Sequence, residues 1–401
     1  MWSINIDSRA QRTIREMSIN CLVDVYTVVD EGEIIDLDLY SDNVKFYRIA
    51  DPVEYSFQNR LVNKIINHTF FYLNHKPLTS FVLSKKINYD IIFAHDLPSA
   101  YPALKIAKRL GAKIMYDVHD LYIETINQQF PLNSKGMKKI IYGFTIRVMR
   151  FLGRSFERKF VKHTSIIFAP TQSCLEYLEE AYEFDKGILF RNFPELKVVE
   201  KSSILKETLR LNENDSIVLY HGNLGRGRSL EFMVRSAKYF EKGNKLVIIG
   251  NGALEQELEL ISKEQNTTDQ VYFMRSIEYN NLFKYVSGAT LGIMLLESIN
   301  KSKEYALANK ITEYMACGVV PVLSNHVEHK RLVKDNNAGF IYEGSKHPEE
   351  FGAFINSCLK SPDQVREMSK VASNCYTTEF NWSKEKIHFI EPFNNLLNSI
   401  E

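Results

Sequence analysis

Residues 309–322, NKITEYMACGVVPV, predict a helix that runs directly into a buried strand. Asn309 is a favoured N-cap residue, and Gly318 stands where a glycine commonly ends a helix. The apolar run VVPVL at 319–323 is typical of a parallel strand that is covered on both faces. A helix that leads into such a strand is part of a repeating parallel β–α arrangement, so this stretch indicates an α/β fold.

The predicted helix separates its residues by face. Ile311, Tyr314 and Met315 share an apolar side, whereas Lys310 and Glu313 share a polar side close to the helix start. The helix dipole disfavours a cation there unless an anion is bound. Exposed backbone N–H groups together with the Lys310 ammonium make a diphosphate site, and Glu313 could accept hydrogen bonds from a ribose diol. A surface Lys–Glu pair on an ordinary helix is the alternative.

The same stretch resembles the donor-site signature of retaining GT-B glycosyltransferases of family 4, in which Pro-Asn-Lys-x-x-Glu-Tyr-x-x-x-Gly-x-Pro-Val is frequent. The resemblance implies that Glu313 binds the ribose of a nucleotide sugar and that Lys310, beside Asn309, lies by the diphosphate. It extends over nearly the whole chain and implies two Rossmann-like domains facing a cleft. The expected boundaries are an N-terminal acceptor domain at 1–196, a nucleotide-sugar domain at 205–380, and a C-terminal helix at 381–401 that crosses back to the N-terminal domain.

Bulk properties restrict the classes of function. The 401 residues suit two domains, and the net charge of +1 does not suggest nucleic acid as a partner. The chain has no run of 18 apolar residues and no signal-peptide pattern, so we expect it in the cytoplasm. Its five cysteines are scattered without a Cys-x-x-Cys pair, which predicts reduced thiols and no zinc site.

Polar side chains follow two successive predicted strands in residues 89–124, YDIIFAHDLPSAYPALKIAKRLGAKIMYDVHDLYIE. The pattern is a parallel βαβ unit, and ligands bind outside the carboxyl ends of such strands. The acceptor-side candidates here are His95, Asp96, Asp117, His119, Asp120 and Glu124. They resemble the family's His-Asp-Leu-Pro and Asp-x-His-Asp-x-x-x-Glu, which implies that His119 reaches the donor sugar near the reacting carbon. The alternative is that Asp117 and His119 merely cap the strand. The ligand spacing does not fit zinc, and the family typically needs no metal, so none is expected.

The N-terminal residues resemble the family's opening only in part. Trp2–Ile6 is the one stretch that could form a first strand, and it lacks the family's glycine-rich turn. Arg9, Arg12 and Arg15 fall roughly on one face of the following helix. They form either a solvated face or part of an anionic acceptor site, with Arg9 the candidate residue.

Residues 131–163 combine many lysines and arginines with apolar and aromatic residues, and Glu157 is their only acid. A basic amphipathic helix of this kind can lie on an anionic membrane surface. The alternative is a core helix with a solvated basic face. The stretch therefore predicts either a peripheral membrane contact or a structural helix.

The second domain opens with SIVLYHGNLGRGRSLEFMVRSA at 216–237, a strand, a glycine-rich loop and a helix. Such a loop presents backbone N–H groups to phosphate. It resembles the family's Gly-Arg-x-x-x-x-Lys-Gly loop, with Asn223 in place of the first arginine and Arg228-Ser229 in place of Lys-Gly. The resemblance implies that Arg275 lies near the base, although it could be an ordinary surface residue. Tyr305 stands where the family usually has a second glutamate. The donor-binding candidates are thus Gly222, Asn223, Gly225, Gly227, Gly250, Gly252, Arg275, Tyr305, Asn309 and Glu313.

The resemblance implies a retaining transferase that moves a sugar from a nucleotide-diphosphate sugar, UDP-linked by expectation, to a hydroxyl of a saccharide or lipid-linked acceptor. Arg228 and Lys310 would stabilise the departing diphosphate, and His119 would position the sugar. The expected setting is bacterial surface-polysaccharide synthesis, with no cofactor besides the donor substrate. Two alternatives stay open: a catalytically weakened GT-B subunit that binds an active partner, and a GT-B nucleotide-sugar epimerase.

Overall fold

The computed structural model describes residues 7–28, 35–49, 76–130, 135–195, 198–334 and 336–400. The chain divides into two compact units. Unit 1 contains Met1–Arg191 and Lys386–Glu401, and unit 2 contains Asn192–Glu385. The strand expected at Trp2–Ile6 lies outside the described residues.

Unit 1 is built from parallel strands connected by helices. One sheet pairs Val23–Val28 with Val44–Ile49. The other runs in the order Ile91–His95, Lys113–Asp117, Ile166–Ala169 and Gly187–Leu189, and all of these pairings are parallel. Short 3-10 helices lie at Leu37–Leu39 and Ile126–Gln129. Its elements before the chain passes into unit 2 after Arg191 are α1 (Ser8–Met17), β1 (Val23–Val28), β2 (Val44–Ile49), α2 (Lys76–Ser84), β3 (Ile91–His95), α3 (Asp96–Leu110), β4 (Lys113–Asp117), α4 (Tyr122–Thr125), α5 (Met137–Val161), β5 (Ile166–Ala169), α6 (Gln172–Tyr182) and β6 (Gly187–Leu189).

Unit 2 is a six-stranded parallel sheet with helices between its strands. A 3-10 helix at Ala237–Tyr239 follows its second helix. Its elements are α7 (Ile204–Leu209), β7 (Ser216–His221), α8 (Leu230–Ser236), β8 (Asn244–Ile249), α9 (Glu255–Glu264), β9 (Val271–Met274), α10 (Tyr279–Val286), β10 (Leu291–Met294), α11 (Lys301–Glu304), α12 (Asn309–Ala316), β11 (Val320–Ser324), α13 (Val327–Lys334), β12 (Phe340–Tyr342), α14 (Pro348–Leu359), α15 (Pro362–Thr378) and α16 (Trp382–Glu385).

The strand order of unit 2 is β12-β11-β10-β7-β8-β9. The chain builds outward from β7 through β8 and β9, then returns to the other side of β7 and builds outward again from β10. This is the doubly wound Rossmann order, and the order reverses between β7 and β10, which pair at Val218 and Leu291. Ligands of doubly wound sheets bind at the carboxyl ends of the strands at this switch point. The fold therefore directs attention to the loops that follow His221 and Met294.

Helix α12 and strand β11 confirm the predicted helix–strand pair, with one correction. Ile311, Tyr314 and Met315 are fully buried, and Gly318 has the left-handed φ of 60° expected just past the helix end. The prediction that Asn309 is the N-cap was wrong. Ala308 holds that position with φ −76° and ψ 134°, and no side chain caps the helix there, because Asn309 is already the first helical residue.

Helix α17 (Ile387–Asn398) follows unit 2 in the chain and belongs to unit 1. Phe389 is fully buried there against the rings of Phe93, Phe168 and Phe190, with ring centroids 5.4–5.7 Å away. At the start of unit 2, the Pro194 carbonyl accepts hydrogen bonds from the Trp382 amide and the Tyr376 hydroxyl, which joins the two ends of that unit.

The unit boundaries differ by a few residues from the expected domain ends. The first crossing, after Arg191, precedes the expected domain end at 196, and residues 381–385 lie in unit 2 before the return at Lys386. Among the described residues, no helix is both long enough and apolar enough to cross a bilayer.

Candidate functional site

Two glycine turns in unit 2 bring their backbones into direct contact at the carboxyl ends of β7 and β8. Gly222 follows β7 with φ 121°, and Gly250 follows β8 with φ 155°. A Cβ on Gly250 would lie 1.9 Å from the Gly222 carbonyl oxygen, and one on Gly252 would lie 2.5 Å from the Leu224 carbonyl oxygen. No side chain fits in either place, so these glycines are required for the two turns to pack.

Lys310 reaches from α12 onto the first of these turns. Its Nζ donates to the His221 carbonyl oxygen at 2.7 Å and to the Tyr220 hydroxyl at 3.2 Å, and it lies 4.3 Å from the centroid of the Tyr220 ring. A Cβ on Gly222 would approach Nζ to 2.7 Å, so the ammonium lies directly against the glycine backbone. Burial, and secondly the charge of Arg228, lower the pKa of Lys310 to about 7.

Arg228 lies on the same loop, just before α8. A Cβ on Gly225 would come within 3.1 Å of Arg228 Nη1 and within 2.7 Å of Asn223 Oδ1, so the bare glycine leaves room for both side chains. The Tyr220 hydroxyl donates to the Asn223 carbonyl oxygen at 2.9 Å and so links the loop to the residue that holds Lys310. We call Lys310, Arg228 and the loop Gly222–Gly227 the cation site.

The cation site has no carboxylate in direct contact, and the charge of Glu313 acts on Lys310 only from beyond 4.0 Å. Among the residues that the structure describes, neither Lys310 nor Arg228 has a carboxylate within 4.0 Å. The two cations also lie close enough for Arg228 to depress the pKa of Lys310. An anion bound over the glycine loop would neutralise both, which is the role the sequence predicted for a diphosphate.

His221 is a member of this region that the sequence analysis missed. It is 3% exposed, and its Nε2 lies 3.6 Å from an oxygen of Glu313, which is itself 9% exposed. Burial, followed by the charge of Lys310, lowers the pKa of His221 to about 3, so its imidazole is neutral. Its Nε2 has no hydrogen-bond partner among the described residues. The available sequence signal was a polar residue ending the otherwise apolar strand β7.

The other donor-side candidates lie in nearby loops of unit 2. Arg275 is exposed directly after β9, and the next residue, Ser276, exchanges hydrogen bonds of 2.6 and 3.1 Å with Asn251 after β8. Tyr305 is partly buried at the end of α11. Their contacts with a nucleotide or sugar stay predictions.

In unit 1, the predicted polar residues meet around the fully buried carboxylate of Asp117. Arg9 Nε donates to Asp117 Oδ2 at 2.9 Å, Arg9 Nη2 donates to Oδ1, and Arg9 Nη1 donates to the Phe190 carbonyl oxygen at 2.7 Å. Burial opposes the ionised form, but Arg9 and then His119 hold the pKa of Asp117 well below its usual range. Asp117 therefore binds side chains and does more than cap the strand.

The possibility of a solvated arginine face was wrong for two of the three residues. Arg9 is 1% exposed and Arg12 is 6% exposed, because α1 turns this side inward. The guanidinium of Arg9 donates its hydrogen bonds to Asp117 and to the Phe190 carbonyl, so it holds Asp117 in place and is not a free acceptor-binding group.

His119 joins the Asp117 cluster through both ring nitrogens. Its Nε2 lies 2.9 Å from Asp117 Oδ2, and its Nδ1 lies 3.4 Å from Asp7 Oδ2. Burial disfavours the charged ring, but the carboxylates of Asp117, Asp96 and Asp7 outweigh it and raise the pKa of His119 to about 9. His95 lies alongside, with its Nδ1 3.3 Å from both His119 Nε2 and Asp117 Oδ2. We call these five residues, with Arg9, the acidic cluster.

Asp96 fixes the loop that carries His119. Its carboxylate accepts hydrogen bonds from the backbone amides of His119 at 2.8 Å and of Asp120 at 3.4 Å. Its own φ of 60° is unusual for a residue other than glycine, and such strain persists where surrounding contacts enforce it. Asp120 itself is exposed.

Glu124 was grouped with these residues by sequence, but its contacts lie elsewhere. Its carboxylate accepts from Arg154 at 2.6 Å and from the Tyr177 hydroxyl at 2.7 Å, and it lies 3.4 Å from Arg150. Its four-residue helix turns it toward α5 and α6. Glu124 therefore lies apart from the acidic cluster and ties α4 to its neighbouring helices, and its contact with an acceptor stays a prediction.

Three groups in the acidic cluster have the geometry of metal ligands. Asp7, His95 and His119 each place one ligand atom within 4.8 Å of the others. Metal binding requires a neutral imidazole, and the raised pKa of His119 opposes that state at neutral pH. The expectation of a metal-independent protein stays a prediction.

Comparisons with known proteins identify the family. Residues 202–374 match the model of Glycosyl transferases group 1, and residues 48–189 match that of Glycosyltransferase Family 4. The chain is 29% identical over 161 residues to the GDP-Man:Man(3)GlcNAc(2)-PP-Dol alpha-1,2-mannosyltransferase of Dictyostelium discoideum, across 38% of this chain and 30% of the relative.

A second relative is the N-acetylgalactosamine-N,N'-diacetylbacillosaminyl-diphospho-undecaprenol 4-alpha-N-acetylgalactosaminyltransferase of Campylobacter jejuni subsp. jejuni serotype O:2. The identity is 28% over 130 residues, across 32% of this chain and 33% of the relative. The matched region thus spans about a third of the length of either curated relative.

The fold is shared over the full length with a solved structure. Anabaena HepE, determined in complex with UDP and glucose, superposes with a TM-score of 0.72 at 13% sequence identity, covering 98% of each chain. Together with the two family matches and the doubly wound sheet of unit 2, this places the chain among the glycosyltransferases of the GT-B fold.

Proposed function

We propose that this chain transfers a sugar from a nucleoside diphosphate sugar, UDP-linked, to a hydroxyl of a saccharide or lipid-linked acceptor. The proposed reaction retains the anomeric configuration and contributes to a bacterial surface glycan. The observation that carries the proposal is the cation site: Lys310 and Arg228 lie against the glycine backbone at the switch point of unit 2, and no described carboxylate lies within 4.0 Å of either. A diphosphate carries the negative charge that would balance these two cations.

The proposed chemistry places the largest demand on the leaving group. The bond between the anomeric carbon and the diphosphate oxygen breaks, and its electron pair stays on the diphosphate. The acceptor oxygen forms the new bond to the anomeric carbon, and its proton passes to the departing diphosphate. Lys310 and Arg228 are already in place at the glycine loop to stabilise the charge on the departing oxygens, although the amides of Gly222 and Leu224 are taken by the carbonyls of Ile249 and Asn251.

Unit 1 supplies the proposed sugar-side group. His119 is held by Asp117 and Asp7 and carries a positive charge at neutral pH, since its pKa is raised to about 9. In that state it donates hydrogen bonds and cannot act as a general base. We therefore assign it the positioning of a sugar hydroxyl through Nδ1, whose 3.4 Å contact with Asp7 is an ion-pair contact, whereas Nε2 is taken by Asp117. This is in line with the role implied by the family.

The relatives support the acceptor class and leave the nucleotide to be tested. The names of both curated relatives contain a diphosphate-linked lipid, dolichol in one and undecaprenol in the other. The Anabaena structure contains UDP, whereas the name of the Dictyostelium relative specifies GDP-mannose. UDP is our choice, and GDP is the competing donor.

The test is a panel of UDP- and GDP-sugars in a thermal-shift assay, followed by titration calorimetry with the best binder. We expect a UDP-sugar to raise the melting temperature most, because a bound ligand stabilises the folded state. NMR of the product with an added acceptor should show the donor's anomeric configuration. Failure of every nucleotide to bind would favour the weakened-subunit alternative, and sugar interconversion without an acceptor would favour the epimerase.

A further inference from the structure

Helix α5 carries a continuous apolar surface that faces solvent. Its exposed apolar side chains are between 39% and 74% accessible, and at 100° per residue they fall within an arc of about 120° along the first four turns and beyond. We call them the outer row: Met137, Ile140, Ile141, Phe144, Val148, Phe151 and Leu152. Scattered exposed apolar residues are ordinary, but a contiguous row of seven on one helix face indicates a binding surface.

The outer row is exposed although the helix is firmly packed on its other side. Met149, Phe160 and Val161 are at most 4% exposed on that inner side. Glu157, also inside, lies between the hydroxyls of Tyr116, 3.0 Å away, and Tyr182, 2.5 Å away. The helix therefore has two apolar sides, and unit 1 covers one of them. The sequence left open a helix that lies on a membrane surface or a core helix with a solvated basic face. The structure shows a packed inner side, as in a core helix, and also an exposed apolar row.

The exposed charges that α5 itself carries are of one sign. Helix α5 has seven basic residues and one acid, Glu157, which is buried with a pKa raised by burial to about 7. At 100° per residue, Arg147 and Arg158 lie at one edge of the row, Lys138 lies beyond the other edge, and Lys159 continues the row about two turns past Leu152. All four are exposed. No acidic side chain on α5 is exposed to offset them.

We propose that the outer row of α5 inserts into the surface of an anionic lipid bilayer, with the helix axis in the membrane plane. Apolar side chains would enter the headgroup–acyl boundary, and the flanking lysines and arginines would contact anionic headgroups. A second copy of the chain is the less suitable occupant. Pairing two outer rows would bring their basic borders together, which a bilayer of negative lipids avoids. The proposal concerns this surface alone and does not depend on the proposed transfer reaction.

The first experiment measures co-sedimentation of the full chain with vesicles of phosphatidylcholine alone and of phosphatidylcholine with phosphatidylglycerol, at low and high salt. We expect binding to the anionic vesicles that weakens with salt. The double variant Phe144→Ser/Phe151→Ser should bind at least about tenfold more weakly. The matched control is Leu260→Ser/Tyr279→Ser, which removes two residues of unit 2 that are 58% and 53% exposed, and it should bind like the original protein.

A charge variant and a depth measurement complete the test. Arg147→Glu/Lys159→Glu should lose the preference for anionic vesicles while keeping its circular dichroism spectrum. A tryptophan introduced as Phe144→Trp should be quenched by brominated lipid, and one introduced as Phe156→Trp, on the partly buried side, should not. Equal binding to neutral and anionic vesicles, or unchanged binding by Phe144→Ser/Phe151→Ser, would overturn the proposal. Self-association that this variant abolishes, without vesicle binding, would assign the row to a second copy instead.

Discussion

The two units place charge at the carboxyl ends of parallel strands in opposite ways. In unit 1, the buried carboxylate of Asp117 is met by Arg9 and His119, so the acidic cluster contains its own counter-charges. In unit 2, Lys310 and Arg228 lie together with no carboxylate within 4.0 Å among the described residues, and the pKa of Lys310 falls to about 7. The central charge of unit 1 is thus paired within the protein, whereas the two cations of unit 2 have no carboxylate in contact and can bind an anion. Each arrangement holds one proposed ligand-binding group, His119 in unit 1 and Lys310 in unit 2.

Removing the central anion of unit 1 should have the largest effect. Asp117→Ala leaves the buried guanidinium of Arg9 unpaired, so we expect a loss of about 3–5 kcal/mol in the free energy of unfolding, measured by urea titration. The matched control is Asp363→Ala, which breaks an exposed Asp363–Arg366 pair and should cost under about 1 kcal/mol. Similar values for the two variants would mean that Arg9 finds another partner.

The corresponding change in unit 2 should reduce activity and not stability. Lys310→Ala should slow sugar transfer by roughly 100–1000-fold, or about 3–4 kcal/mol, and weaken nucleotide-sugar binding. Without nucleotide it should resist urea at least as well as the original protein, because a buried, unneutralised ammonium is removed. The control, Lys263→Ala, removes an exposed lysine of α9. Near-normal turnover of Lys310→Ala would refute the cation site.

Nucleotide-sugar binding should take up a proton at mildly alkaline pH. The pKa of Lys310 is lowered from 10.5 to about 7 in the free protein, so its side chain is neutral between these values, and a bound diphosphate restores the charge. Below about pH 7 the lysine is charged in both states, and uptake should vanish. Calorimetry in buffers of different ionisation enthalpy measures this uptake, up to one proton per site.

Lys310→Arg is the control for this measurement, because arginine stays charged throughout the range. It should still bind the nucleotide sugar, but without proton uptake. Uptake that persists in this variant would mean that another group titrates on binding.

Adding a cation to the glycine loop should give a smaller gain. Asn223 is exposed and stands where the family signature has an arginine. Asn223→Arg should tighten nucleotide-sugar binding by about tenfold, the equivalent of one added charge-assisted hydrogen bond. Titration calorimetry measures the dissociation constant, and weaker binding would show that the extra charge mainly opposes Lys310.

We expect the removal of metal ions to leave the rate of sugar transfer unchanged. A metal ion would have to displace a proton from His119, whose pKa is raised to about 9, and this competition weakens metal binding at the acidic cluster. Transfer rates should be equal before and after EDTA treatment. Loss of activity that Mg²⁺ or Mn²⁺ restores would contradict this and direct attention to Asp7, His95 and His119.

The sequence was sufficient to predict features that depend on neighbours along the chain. The helix and strand on either side of Gly318 follow from local periodicity, and the glycine turn at Gly222 follows from a loop between a strand and a helix. The meeting of His95 and Asp117 also followed, because the carboxyl ends of adjacent parallel strands must come together.

Features that depend on distant contacts could not be predicted. Arg9 pairs with Asp117 across 108 residues, and no local pattern distinguishes this arginine from a solvated one. Glu124 has the family spacing, but a short helix turns it toward Arg154. The neutral His221 beside Glu313 depends on burial that only the assembled sheet provides.

The last helix has a consequence for how the protein is made. Phe389 completes a group of stacked rings with Phe93, Phe168 and Phe190, yet it is synthesised almost 200 residues after the last of these. During translation the apolar surface around Phe93, Phe168 and Phe190 therefore stays uncovered while the whole of unit 2 is synthesised. Nascent chains arrested before residue 387 should depend on chaperones that full-length chains no longer need.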